Sequence, residues 1–194
     1  MRNPMWENIF RKPADDSETV LALRGVPIFQ DLNKKQLREI EHLVHHRTYV
    51  LGEKVFSQGQ PGLGLYIILR GTIDIVRTDL DGNDLKLASL EEGAFFGEMG
   101  LLVDTPRSAN AIASEVSEVV AFFRPDLMDL INRRPALGIR ILHGVAQVMA
   151  KRLQEQNRVS QELQGQISDL QKQIKAAQER SAAGTDAARQ ENGA

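Results

Sequence analysis

The spacing of the hydrophobic residues changes twice along this chain and divides it into three patterned zones. Residues 27–46 carry apolar side chains at helical intervals, with Asn33 placed as an N-cap before Lys34, which predicts a helix. Residues 47–123 instead hold short β-branched and apolar runs between glycines, which indicates strands. From Pro125 onward the intervals are helical again.

The middle zone predicts a small antiparallel fold, because its strands are short and regularly spaced. Asp81-Gly82 predicts a tight hairpin turn between two of these strands. The fold class is therefore mainly β with flanking helices, an antiparallel β-roll of the jelly-roll type followed by a long C-terminal helix. The predicted strands are residues 49–51, 54–56, 65–69, 72–76, 85–90, 108–113 and 116–123.

Two helices are predicted after the strands. Pro125 begins a short helix that ends at Arg133, and Pro135 begins the next, since proline is tolerated at the first position of a helix. The second helix meets no stop signal before Gly184, and residues 136–182 would span roughly 70 Å.

The long helix carries a heptad pattern. Ten of the twelve seam positions are apolar, and Gln156 and Ser160 are the polar breaks. A helix of this length would overhang its own domain, so we favour a homodimeric coiled coil over one helix packed on its own chain. Isoleucine at a and leucine at d further favour two parallel strands. The seam positions are Ile139, Leu142, Ala146, Met149, Leu153, Gln156, Ser160, Leu163, Ile167, Leu170, Ile174 and Ala177.

These patterns predict four segments. Residues 1–24 form a polar, irregular N-terminal tail, residues 25–150 the β-roll domain, residues 151–182 the dimerising coiled coil and residues 183–194 a disordered tail. An apolar cluster interrupts the N-terminal tail and could serve as a docking peptide, a membrane-surface contact or a segment that packs on its own domain. Its members are Met5, Trp6, Ile9 and Phe10.

Composition excludes several classes of protein. The chain has 194 residues, 42% of them apolar, which is enough for a real core and excludes wholesale disorder. A net charge of −2 lacks the basic excess of a dedicated nucleic-acid binder. Without cysteine there is no disulfide, thiolate zinc site or cysteine nucleophile. No apolar stretch reaches the ~18 residues of a membrane span, so a cytoplasmic protein is expected.

Candidate chemistry is concentrated in residues 95–109. Gly97 lets the backbone approach a ligand closely, and the next residues can form one helical turn whose free amides attract an anion. Arg107 offers a planar fork suited to phosphate oxygens. Glu98 beside an anion site needs a hydroxyl from which to accept, and an anion next to a diol indicates a sugar phosphate. We find no candidate catalytic residue and no metal-ligand pattern, although three histidines lie at positions 42, 45 and 46 of the predicted first helix.

The spacing of these residues resembles the phosphate-binding cassette of cyclic nucleotide-binding domains. Gly97-Glu98, eight intervening residues and then Arg107-Ser108-Ala109 reproduce its order and separation. The resemblance covers about residues 26–158. Its other motifs are Gly52-Glu53-Lys54-Val55-Phe56, Gln58-Gly59, Leu65-Tyr66-Ile67-Ile68-Leu69, Gly71, Ile73 and the helix after Phe123.

The resemblance implies a β-roll that binds a 3′,5′-cyclic nucleotide, cAMP as the favoured ligand and cGMP as the alternative. It implies that Glu98 accepts from the ribose 2′-hydroxyl and that Arg107 pairs with the cyclic phosphate. Gly97 and Met99 would offer backbone contacts, and Ser108 a hydroxyl to the phosphate. One position departs from the family, because Leu63 stands where many relatives carry an acidic residue that steadies the arginine.

A second resemblance concerns the start of the coiled coil. Residues 151–154, Lys-Arg-Leu-Gln, resemble the dimer helix of the bacterial catabolite activator family, which would place adenine-capping residues at Gln156 and Asn157. An amide can hydrogen-bond a purine edge. Equally, Gln156 can be a polar seam residue that fixes the register.

The sequence therefore predicts a non-enzymatic, bacterial-type cyclic nucleotide sensor that relays binding through a dimeric helix to an unidentified protein partner. The winged helix that follows the dimer helix in the activator family is not expected, since residues 159–194 are too few and too polar. The alternative is a degenerate module, in which the roll is a scaffold with a silent pocket and the coiled coil is the working surface.

Overall fold

The computed structural model describes the backbone of residues 16–191 and the side chains of residues 16–173. The apolar cluster of residues 5–10 lies outside the described residues. The chain divides into two compact units, the first ending at Gln147 and the second beginning at Val148.

The elements follow one another as a short helical segment, the strands and two further helices. The helices are α1 (Glu18–Gly25), α2 (Lys34–Glu41), α3 (Arg124–Arg133) and α4 (Pro135–Glu191), with 3₁₀ turns at Pro27–Phe29 and Glu98–Leu101. The strands are β1 (His45–Tyr49), β2 (Lys54–Phe56), β3 (Gly64–Arg70), β4 (Ile73–Thr78), β5 (Asp84–Leu90), β6 (Phe95–Phe96), β7 (Asn110–Ala113) and β8 (Ser117–Phe123).

The strands form two antiparallel four-stranded sheets, in the orders β1-β8-β3-β6 and β2-β7-β4-β5. This arrangement confirms the predicted β-roll. The β4–β5 hairpin is also confirmed, and the Asp79 N–H donates to the Asn83 carbonyl at its turn, 2.9 Å away. Non-consecutive neighbours such as β3 and β8 bring together residues about 50 positions apart in the chain.

The central strand β3 is buried on both faces, which explains its continuous apolar run. Tyr66 and Ile68 belong to the cluster inside the roll, where they pack with residues of both sheets such as Phe96 and Ala111. Because side chains alternate along a strand, Leu65 and Ile67 point to the opposite face. On that face Phe122 of β8 meets Phe29 edge-on, with ring centroids 6.2 Å apart.

Helix α1 corrects the prediction that residues 1–24 are irregular. The Ser17 side chain caps it by accepting from the Val20 N–H, and Val20 and Leu23 are buried. The local pattern is weak here, because only one face of an eight-residue helix is apolar and isolated helices this short are marginal. Packing against α2 and β3 supplies the missing stability.

The predicted helix over residues 27–46 is also wrong in its extent. A 3₁₀ turn and the helix α2 share that segment, and Asn33 caps α2 as predicted, in a capping box with Gln36. Strand β1 begins at His45 and pairs with β8, so His45 and His46 lie on a strand rather than a helix. The strand predicted over residues 49–51 overlaps β1 only at Tyr49.

Helix α4 begins at Pro135 as predicted and is described as helical to Glu191, beyond the stop expected at Gly184. In the first unit, Leu137, Ile141 and Val145 are buried. No helix among the described residues is long and apolar enough to cross a membrane.

In the second unit, the predicted seam residues form an exposed apolar stripe on α4. Leu163 is 52% exposed and Ile167 55%, and Leu153 and Leu170 are exposed to a similar degree. The charged side chains of Arg158, Glu155 and Glu162 pair with one another outside the seam positions. An amphipathic helix with an uncovered stripe is typical of a coiled-coil strand described without its partner.

Candidate functional site

The cassette of residues 97–109 begins where the edge strand β6 ends. Gly97 has φ +77°, in the left-handed region, and turns the chain from β6 into the 3₁₀ turn Glu98–Leu101. The stretch then returns through Pro106, which forms an isolated bridge with Pro61, to strand β7. The predicted helical turn after Gly97 is thus present, in 3₁₀ form.

Arg107 is the centre of the site. It is only 8% exposed, and its Nη1 and Nη2 atoms donate to the carbonyls of Gly97 (3.1 Å) and Gly64 (3.0 Å). Its Nε atom is buried with no hydrogen-bond partner among the described residues. The two carbonyls leave the buried Nε–H without an acceptor in the described part of the chain, so this site favours an added acceptor such as a phosphate oxygen.

Aromatic rings form one wall around Arg107. The guanidinium carbon lies 4.1 Å from the centroid of the Phe56 ring and 5.4 Å from that of Tyr66. Such cation–π contacts attract the guanidinium and restrict its movement. The two rings are themselves packed 5.5 Å apart, in the cluster that fills the roll.

Glu98 supplies the negative charge next to Arg107. Its side chain is 3% exposed, which is rare for a carboxylate. Burial lowers the pKa of the Arg107 guanidinium, and Tyr66 and the charge of Glu98 oppose this effect. A buried carboxylate and a buried guanidinium in one loop can together recognise a hydroxyl and an anion on the same small molecule.

The predicted binding residues divide into three groups. Gly97, Glu98 and Arg107 lie together in one site. Met99 and Ser108 are in the same cassette but point to its surface, where both are exposed. The predicted adenine-capping residues Gln156 and Asn157 are exposed on the second unit, and their role stays a prediction.

Sequence reasoning missed three residues that hold Arg107. Gly64, Phe56 and Tyr66 contact its guanidinium, yet they precede it by 41 to 51 positions. No local spacing marks them, because only the pairing of the strands brings them to Arg107. Leu63, the departure from the family pattern, is half exposed, and its carbonyl accepts from the Arg124 N–H at 2.8 Å.

The cassette thus places a buried guanidinium and a buried carboxylate together, a combination suited to a small anionic molecule that carries hydroxyls. The family model described as "Cyclic nucleotide-binding domain" matches residues 46–134, a span that includes the whole cassette. The chain belongs to this family of cyclic nucleotide-binding domains.

Known proteins show the same relationship. The cyclic AMP receptor protein of Thermus thermophilus is 37% identical over 133 residues, which are 69% of this chain and 60% of that protein. A cAMP-dependent protein kinase regulatory subunit from Mycosarcoma maydis is 32% identical over 50% of this chain and 18% of its own length. This chain therefore spans less than two thirds of the length of either relative.

One solved structure is matched over most of its length. It is the N-terminal domain of a transcriptional regulator from Streptomyces coelicolor A3(2), with a TM-score of 0.63 and 30% identity. The match covers 67% of this chain and 93% of that one.

Replacing Gly97 with alanine is expected to damage the site specifically. An added Cβ would lie 2.6 Å from Arg107 Nη1 and 3.0 Å from the Gly64 carbonyl oxygen, at φ +77°. We expect a loss of stability of about 1–2 kcal/mol from the backbone strain, together with a displaced guanidinium. Gly82→Ala is the matched control, since Gly82 has φ +84° but no neighbour within 4 Å.

Thermal unfolding and nucleotide titration of the two variants check this prediction. Both should lose similar stability, and only Gly97→Ala should lose nucleotide affinity. Equal affinity in the two variants would mean that the position of Arg107 does not depend on contact with Gly97.

Proposed function

We propose that this protein is a cyclic nucleotide sensor, with cAMP as the favoured ligand. One observation carries the proposal: Arg107 is buried between neutral carbonyls, with its Nε atom lacking an acceptor among the described residues. A cyclic phosphate is an anion of suitable size and shape for this fork. The neighbouring buried Glu98 supplies the acceptor that a ribose hydroxyl needs.

Calorimetric titration with cAMP and, separately, cGMP tests this function. We expect one nucleotide bound per chain, with micromolar or tighter affinity for at least one of the two. Adenosine serves as the control, because it has the base and the hydroxyls but no phosphate, and it should bind far more weakly. A folded, nucleotide-free sample that binds neither cyclic nucleotide would instead support the degenerate module, which the exposed Leu63 favours.

Binding is proposed to act on α3 through the end of the cassette. Asp104 Oδ1 forms an ion pair with Arg124 Nη2 at 3.3 Å, and the backbone N–H of Arg124 donates to the Leu63 carbonyl. The first residue of α3 is therefore bonded both to the cassette and to Leu63, which precedes the Arg107 partner Gly64. A nucleotide that orders the cassette would shift the position of α3, provided that it binds the two positions with different affinity.

The output is proposed to be a homodimer whose α4 helices form a parallel coiled coil and contact a protein partner. The exposed stripe on α4 supports this, because its leucines and isoleucines follow the heptad order and have no cover within the described chain. We propose no catalytic step for this chain. Gln156 and Asn157 are proposed to contribute amide hydrogen bonds to recognition of the base.

A further inference from the structure

A buried side-chain amide follows directly after the cassette, and the proposed function assigns it no contact with a ligand. Asn110, the first residue of β7, is 6% exposed. Both the oxygen and the nitrogen of its side-chain amide form hydrogen bonds. Oδ1 accepts from the Gln58 N–H at 3.1 Å, and Nδ2 donates to the Val76 carbonyl at 3.2 Å and to Thr78 Oγ1 at 3.1 Å. A buried amide with this many partners fixes the segments that it joins.

A second amide strengthens the same junction. The Gln58 side chain accepts from the Thr78 N–H at 2.9 Å and donates to the Thr78 carbonyl at 3.0 Å. It thereby imitates one rung of a β-ladder at the end of β4. We call Asn110 and Gln58 the amide clasp, because together they fasten the loop of residues 57–62 to the end of β4.

The clasped loop holds the backbone of Arg107. The Gly59 N–H donates to the Arg107 carbonyl at 2.8 Å, and the Arg107 N–H donates to the Gln60 carbonyl at 2.8 Å. The Gly62 N–H donates to Thr105 at 3.1 Å on the same side. Both backbone groups of Arg107 therefore bond to the loop of residues 57–62, which joins β2 to β3.

We propose that Asn110 is a positioning residue for Arg107, acting through the loop of residues 57–62. Hydrogen bonds to Gly97 and Gly64 orient the side chain of Arg107. Its backbone is held by the loop of residues 57–62, which the amide clasp fastens to β4. A guanidinium fork recognises an anion well only when the side chain and the backbone of the arginine are both fixed, since small displacements disrupt bidentate geometry. The part of the inference that concerns affinity rests on the proposed function, and the part that concerns the backbone does not.

The test compares Asn110→Ala with Ser117→Ala. Ser117 is fully buried, and its Oγ accepts from the Thr72 N–H at 3.1 Å, just before the opposite end of β4. Both variants therefore remove a buried side-chain hydrogen bond that supports the same strand. Gln58→Ala is the second test variant. Gln58 is exposed, so this variant keeps the core intact even if Asn110→Ala folds poorly.

Two readouts are measured on the full chain. Hydrogen exchange without ligand should be at least about 10-fold faster at the Gly59, Gly62 and Arg107 amides in Asn110→Ala, and unchanged there in Ser117→Ala. Calorimetry should show about 10-fold weaker cAMP binding in Asn110→Ala, a smaller loss in Gln58→Ala and none in Ser117→Ala. In an Arg107→Lys background, where the fork is absent, the effect of Asn110→Ala should fall below about threefold.

The outcomes separate the two proposals. A wild-type chain that binds no cyclic nucleotide overturns the proposed function, and the exchange rates alone then decide whether Asn110 positions Arg107. Unchanged exchange at the three amides overturns the positioning role, whatever the affinities are. An affinity loss that is equal in Asn110→Ala and Ser117→Ala, or equal with and without the arginine fork, also overturns it, since such a loss reflects general stability.

Discussion

Replacing Arg107 with alanine should weaken cAMP binding by about 2–5 kcal/mol, which is about 30- to 4,000-fold. The expected loss is large because the guanidinium is buried, so a bound phosphate would lose its charge partner in a place that water does not reach. The change also leaves the Gly97 and Gly64 carbonyls without their donor, and circular dichroism should therefore verify the fold first.

Two further variants test whether the loss of cAMP affinity is specific to the Arg107 guanidinium. Arg70→Ala removes a surface arginine whose side chain is 61% exposed and pairs with Glu18, so it should bind cAMP as the wild type does. Arg107→Lys keeps the positive charge but not the planar fork, and it should recover only part of the affinity. A thermal shift with cAMP that is as large in Arg107→Ala as in the wild type would contradict the assigned site.

Replacing Ile167 with aspartate should convert the proposed homodimer, of about twice 21.6 kDa, into a monomer. Ile167 lies in the exposed stripe of α4, and a charge at a seam position must be desolvated when two helices associate. We expect the dissociation constant of the dimer to rise at least about 100-fold. Sedimentation velocity at micromolar concentration measures the change directly.

The control for this prediction is the adjacent residue. Ser168→Asp adds the same charge to the same turn of α4 but outside the seam, so the dimer should persist. Dimers in both variants would show that the stripe is not the dimer interface. A wild-type chain that sediments as a monomer would contradict the coiled-coil proposal itself.

Comparing the two predictions separates the sensor from the degenerate module. If Arg107→Ala loses cAMP and Ile167→Asp loses the dimer, ligand recognition and assembly reside in different units of the chain. If Ile167→Asp dissociates the dimer but the wild-type chain binds no cyclic nucleotide, the roll is a scaffold for the coiled coil. Measuring cAMP affinity in Ile167→Asp then shows whether dimerisation and binding are coupled, since coupling requires the affinity to change with the oligomeric state.

The sequence by itself determined the features that depend on local order. Alternating and continuous apolar runs marked most strands of the roll, and the heptad order marked the stripe on α4. The spacing from Gly97 to Arg107 marked the cassette through its resemblance to a known family, and both residues lie in the single connection between β6 and β7. Asn33 likewise marked the start of α2, since a helix cap acts on amides two or three residues away.

Only the tertiary structure decided the features that depend on distant partners. His45 and His46 read as part of a helix until pairing with β8 placed them in β1, and the eight-residue α1 exists because other elements cover its apolar face. Apart from Gly97 and Glu98, the partners of Arg107 and of Asn110 described above come from strands and loops that lie 32 to 52 positions away. Strand pairing and burial create such contacts between segments that are far apart in the chain. The local sequence of one segment does not indicate which other segment it will contact, so a pattern within one short stretch cannot reveal these partners.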